Sequence, residues 1–285
     1  MKRLLLVLSL AALAAASIVV AAVGAPGGGQ GAAQPGPRGN PFAGVNFVTV
    51  CDFSHANEDD PIVFPGQAGA SHRHTFFGNT STDADSTLET MREAGTTCRR
   101  SADTAGYWVP SLLVDGEIVE PVGATVYYRR STLAGVDPFP AGLRVIAGDA
   151  KAQGPQSIRV AFWSCGARGE VPPRSTPPTC DGVGRGEGLR LHVRFPSCWD
   201  GERLDSDDHK SHMAYPARRG CPASHPVAVP ALAMIVRYPI ADGSDAELAS
   251  GGVYSAHADF FNAWDQAALE ALVDRCLNGL RRCGR

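Results

Sequence analysis

Five of the eight histidines fall in three short polar clusters. These are Ser71-His72-Arg73-His74, the run Asp205-Ser206-Asp207-Asp208-His209-Lys210-Ser211-His212 with Tyr215 just beyond it, and His257-Ala258-Asp259 with Trp264 and Asp265 close behind. A His-x-His pair on an extended chain puts both imidazoles on one side, because side chains alternate with period two. His-x-x-His does the same on a helical turn. Either arrangement offers two ligands to a divalent metal, and His257 or Asp259 would complete the set if the fold brought them together. Without a metal the same residues suit proton transfer. Imidazole titrates near neutrality, and a carboxylate on one ring nitrogen fixes the tautomer and raises the basicity of the other. Asp208 and Asp259 are the carboxylates at hand. Neighbours on a strand face opposite ways, so Asp208 is expected to orient a histidine other than His209. Arg73 and Lys210 would stabilise developing negative charge, and Trp199, Tyr215 and Trp264 would wall a substrate.

A plainer reading competes at each cluster, since short Asp/Ser/His/Lys runs are commonly solvated loops whose carboxylates cap turns. Three such runs set among Gly, Trp, Phe and Pro argue instead for a shared cleft lined by His72, His74, Asp208, His209, His212, His257 and Asp259.

The elements that must position these residues read as strands. Residues 45–51, 107–114, 117–122, 125–130, 143–147, 158–164, 189–195, 231–238 and 253–257 carry β-branched, aromatic or alternating patterns between Gly, Pro and Asp punctuation. Asp115-Gly116 is a two-residue hairpin signal. Nine strands with little helix between them predict a mainly β, antiparallel β-sandwich or jelly roll. Leu269, Leu272, Val273, Cys276, Leu277 and Leu280 share one helical face behind an Asp265 N-cap, which predicts a C-terminal amphipathic helix.

Met1-Lys2-Arg3 followed by an apolar run to Ala22 and Val23-Gly24-Ala25 predicts a signal peptide over 1–25 and a secreted, extracellular protein. An uncleaved anchor is the second reading, because the run approaches a bilayer span. Residues 26–40, rich in Gly, Pro, Gln and Ala, predict a flexible linker, and 41–285 predict a single domain. Without Lys2 and Arg3 the balance is 24 basic to 29 acidic residues, a net charge of −5. That excludes bulk attraction to nucleic acid or to anionic membrane. Oligomeric state is not indicated. Eight cysteines in an exported chain predict four disulfides. Sequential pairing is expected, Cys51 with Cys98, Cys165 with Cys180, Cys198 with Cys221 and Cys276 with Cys283. Zinc knuckles are excluded by the lack of Cys-x-x-Cys spacing.

Two further patterns have plain explanations. The segment 189–195 alternates Leu189, Leu191, Val193 and Phe195 with Arg190, His192 and Arg194. That cationic row reads as the wet face of a sheet, with an acidic polymer such as a uronate chain as the second reading. The glycine-rich run 182–188 lacks the strand–helix context of a nucleotide loop and reads as a turn.

The stretches Asp60-Pro61-Ile62-Val63, Ser71-His72-Arg73-His74 with Phe77-Gly78-Asn79, Tyr107-Trp108-Val109-Pro110, Phe195 to Gly201, Leu204 to His212, Cys221-Pro222 with His225-Pro226-Val227, and His257 to Asp265 resemble a domain-of-unknown-function family numbered nineteen ninety-six. The resemblance spans about residues 47–276. It implies a secreted actinobacterial or fungal protein, and its fungal members with appended wall-sugar domains imply polysaccharide as partner. It assigns no catalytic residue. The expected function is therefore a carbohydrate-active enzyme, a polysaccharide hydrolase or lyase. The alternative is a non-catalytic cell-wall-binding module whose histidines are structural or hold metal.

Overall fold

A computed structural model describes residues 42–166, 171–181, 183, 188–217 and 220–284. The expected leader and linker, and most of the 182–188 glycine run, lie outside the described residues. Two antiparallel sheets dominate. The first has six strands in the order Asn46–Cys51, Gly123–Arg129, Ala231–Arg237, Leu189–Arg194, Ala161–Cys165 and Val171–Arg174. The second has five, in the order Phe53–Asn57, His74–Gly78, Gly106–Pro110, His257–Phe261 and Arg144–Gly148.

One apolar core joins the two sheets. Phe47, Val126, Tyr128 and Leu191 enter it from the six-stranded sheet and Phe77, Tyr107 and Phe260 from the five-stranded one. The alternation in Leu189–Arg194 falls as expected, with Leu189, Leu191 and Val193 buried. The Tyr107 and Tyr128 hydroxyls hydrogen-bond across the sandwich at 2.5 Å, and Trp264 Nε1 donates to the Tyr128 hydroxyl at 2.8 Å. The aromatic polar tips thus satisfy one another in a dry interior, where an unpaired group would cost ~1–3 kcal/mol. The sandwich and all four sequential disulfides are as expected.

The Asp115-Gly116 turn forms, both residues with positive φ (51° and 79°), and joins Leu112–Val114 to Glu117–Val119. Asp265 caps Gln266–Leu272 by accepting from the Ala268 amide, and the chain continues as a π-helical turn over Val273–Asn278. Leu280 falls off the expected stripe and is exposed. The expected strand at 253–257 is not there. Gly251 and Gly252 take positive φ and hold that stretch in turns, so the strand begins at His257 and runs to Phe261. His74–Gly78 was not expected because every residue in it is buried, which leaves no alternation to read.

The outer face of the five-stranded sheet carries a second, smaller core. Phe76, Trp108 and Phe261 pack there with Ile62 and with Met91 from the short helix Leu88–Glu93. Phe76, Trp108 and Asp259 are register partners across three adjacent strands. By period two, His74 lies on the face of Phe76, and His257 and Asp259 on the face of Phe261. The sheet itself therefore delivers two of the three histidine clusters to one surface.

Candidate metal and proton-transfer site

His74 and His257 approach from strands separated only by Gly106–Pro110. His74 Nδ1 lies 3.0 Å from the Asp59 carbonyl and His257 Nδ1 lies 2.8 Å from the Ser255 carbonyl. A carbonyl only accepts, so both Nδ1 atoms carry the proton and both Nε2 atoms are bare. Those bare nitrogens face each other at 3.4 Å. His72 closes the third side, its ring centroid 4.2 Å from that of His74 and 5.0 Å from that of His257. One nitrogen from each ring lies within 4.8 Å of the other two. The His72 Nε2 is buried and has no hydrogen-bond partner among the described residues.

Burial keeps all three rings neutral. It pulls His72 down to about 4 and His257 to about 3, and it holds His74 well below the ordinary imidazole range. Asp259 lies beside them, with Oδ2 3.8 Å from His257 Nε2. Its side chain is 1% exposed and neither oxygen has a hydrogen-bond partner among the described residues. Burial, reinforced by Asp60, raises its pKa well above the usual carboxylate range, while Lys210 opposes the rise. Three neutral imidazoles with aligned donors and a buried, unpartnered carboxylate are a fitting donor set for a divalent cation.

Gly148 fixes this arrangement. It pairs in register with His257, at φ +86°, and a Cβ there would lie 2.4 Å from the Ala256 carbonyl oxygen and 2.9 Å from His257 Cα. Its own carbonyl accepts from Lys210 Nζ at 2.8 Å. The second cluster thereby reaches the first and third. A cleft of about 590 Å³ is lined by His72, His257 and Asp259 together with Asp208, His209 and Lys210.

The dyad partner of His209 is Asp205, not a residue expected from the sequence. Asp205 receives His209 Nδ1 at 3.0 Å and lies 3.6 Å from Arg144. His209 itself is left-handed, φ +56°, a conformation that costs an L-residue about 1–2 kcal/mol. Asp208 orients no histidine. Its carboxylate accepts the Ser211 and Lys210 amides at 2.8 and 3.1 Å, which hold its pKa low and make it the cap of the turn.

Five other expected residues lie away from the cleft. His212 is fully buried, with Nε2 donating to the Arg144 carbonyl and Nδ1 engaged by Ser206 Oγ, so both nitrogens are used structurally. Arg73 follows the alternation away from His72 and His74, and its guanidinium reaches the Ala56 carbonyl. Trp264 is in the main core. Trp199 donates to the Arg203 carbonyl across a turn. Tyr215 is 43% exposed, lines a neighbouring cavity and donates to the Arg194 carbonyl.

Residues 60–264 match the family described as domain of unknown function (DUF1996). The chain belongs to this family. No curated protein and no solved structure matches it. The DUF1996 match begins at Asp60 and so takes in every ligand candidate and the whole Asp205–His212 turn, while leaving out the C-terminal helix. Asp60 and Asp149, which also line the cleft of this DUF1996 chain, were not singled out by spacing. In the sequence Asp60 figures only in the family-resemblance stretch Asp60-Pro61-Ile62-Val63, which assigns it no role. Asp60 accepts the Ile62 and Val63 amides and so builds the loop over the site.

Proposed function

We propose that the chain is a secreted, divalent-metal-dependent enzyme that cleaves polysaccharide by hydrolysis or elimination. The observation that carries the reading is the pair of bare imidazole nitrogens facing each other at 3.4 Å on His74 and His257. Two lone pairs repel at that distance, and a shared cation turns the repulsion into coordination. A tetrahedral zinc with Zn–N bonds of about 2.0–2.1 Å requires adjacent nitrogens about 3.3 Å apart. A cation held there would supply Lewis acidity in the cleft.

The remaining chemistry belongs to side chains of the protein. The Asp59 and Ser255 carbonyls hold the imidazoles in the tautomer that frees Nε2. Asp205 occupies His209 Nδ1, which leaves His209 Nε2 to take or give a proton. Lys210 places positive charge where an oxyanion would develop. Export is supported by the N-terminal sequence and by four disulfides, which suit an oxidising compartment. Polysaccharide as substrate is supported by the wall-sugar context that the resemblance implies.

Metal analysis of the purified protein and a polysaccharide panel test the reading. The panel is scored for new reducing ends and for ultraviolet-absorbing unsaturated ends, which separate hydrolysis from elimination. Turnover should vanish with a chelator, return with added metal and be absent from a folded His257→Ala variant. Saturable glycan binding with no product, unaltered by that substitution, would favour a wall-binding module instead.

A further inference from the structure

The cleft does not end at the histidines. Ile146, Asp149 and Lys210 line both it and a second cavity of about 380 Å³. Tyr215 lines that second cavity and a third of about 160 Å³. The third is walled by Arg129, Arg159 and Arg194 and floored by Ala231 and Ala233. Successive shared lining residues thus lead from the His/Asp site, past Lys210 and Tyr215, to the outer face of the six-stranded sheet, and this row of adjoining cavities makes a trough.

The arginine end is built for anions. Among the described residues no acidic side chain lines it, although the chain as a whole is acidic. Arg194 lies over the Phe162 ring at 4.9 Å and Arg129 over the Tyr127 ring at 4.5 Å, so each guanidinium rests against an aromatic ring. In register, Ala231 opposes Arg129 and Ala233 opposes Arg194, so two small side chains form a floor between the guanidiniums. Carboxylates spaced along a chain are suited to such a row, because guanidinium binds carboxylate in a bidentate manner.

We infer that the trough binds an acidic polysaccharide, a uronate polymer, whose carboxylates occupy the Arg129/Arg159/Arg194 end while the chain passes Tyr215 and Lys210 to the His/Asp site. The inference rests on the polysaccharide-cleaving reading of that site and names its substrate class.

Binding is measured on the full chain in chelator, so that cleavage plays no part, with polygalacturonate, heparin, a neutral xylan and anionic lipid vesicles as probes. Polygalacturonate should bind in a salt-dependent manner and neutral xylan should not. Arg129→Gln/Arg194→Gln should weaken polygalacturonate binding at least tenfold, and Ala231→Leu, which fills the floor and keeps every charge, should weaken it as well. Unchanged circular dichroism and melting temperature confirm that these variants fold. Equal affinity in wild type and variants, equal binding of neutral xylan, or a clear preference for vesicles overturns the inference, whereas heparin, which itself carries uronate residues, should compete with polygalacturonate. If polygalacturonate binds as stated but no condition yields product, the trough stands and the catalytic reading falls. If a neutral polymer is cleaved and the arginine variants cleave it equally well, the catalytic reading stands and the trough falls.

Discussion

His74 and His257 meet Nε2 to Nε2 at 3.4 Å although each has already given its only ring proton to a backbone carbonyl. The contact cannot be a hydrogen bond between neutral rings, and burial opposes charging either one. The fold holds two acceptors against each other and sets a third, His72, beside them.

Purified protein is therefore expected to carry about one divalent ion per chain. At a free metal concentration 100 times Kd the folded state gains about 2.7 kcal/mol, which for a domain of this size raises Tm by roughly 5–10 °C. Elemental analysis and thermal melts with and without chelator check it. A metal-free protein whose Tm ignores zinc, manganese and calcium would remove the basis of the proposal.

His212→Ala and His257→Ala should fail in opposite ways. The first strips partners from the buried Ser206 hydroxyl and Arg144 carbonyl, a loss of about 1–3 kcal/mol, and should leave metal stoichiometry intact. The second should abolish metal binding with a smaller effect on the chelated protein. Urea midpoints in chelator and metal content of the two variants decide between them. Loss of metal in both would place His212 among the ligands.

Gly148→Ala places a methyl against the Ala256 carbonyl and His257 Cα at a backbone angle that L-residues rarely adopt. Stability should fall by more than the ~1 kcal/mol of an ordinary surface change, and metal affinity should fall with it because His257 is displaced. A melt and a competition titration with a chromophoric chelator provide the check. Wild-type metal affinity in a destabilised variant would separate Gly148 from the site.

Asp103 supplies a pH dependence away from the metal. Burial lifts its carboxyl to about 7, against hydrogen bonds that include one from the Tyr107 hydroxyl. With the folded value above the unfolded one, its contribution to stability is fully present below about pH 4 and is lost as pH rises through about 7. Three pKa units amount to about 4 kcal/mol. Urea unfolding at pH 4 and pH 8 should show wild type losing a few kcal/mol more than Asp103→Asn across that interval. Parallel pH curves for the two proteins would refute it.

The histidine spacing was legible because alternation is a local property. His72 and His74 on one side of an extended segment, and His257 with Asp259 on one face of a strand, follow from period two alone. What brought these pairs together was the register of His74–Gly78 and His257–Phe261 on either side of Gly106–Pro110, and fully buried strands carry no pattern that reveals their partners. The Asp205–His209 pairing was hidden for another reason. It depends on a left-handed residue inside a turn, where strand alternation, the rule applied to Asp208, does not hold. Trp264 misled because aromatic character suits both a sugar platform and a core, and its burial and its hydrogen bond to Tyr128 distinguish them.

The order of the cysteines along the chain has a consequence for biosynthesis. Each disulfide joins a cysteine to the next one in sequence, over separations of 47, 15, 23 and 7 residues. On the proposed export route, with the chain emerging vectorially from a translocation channel, every newly exposed thiol that needs a partner would find the correct one as the sole earlier thiol still reduced. An oxidant acting in order of arrival would then write the native connectivity without reshuffling by a disulfide isomerase.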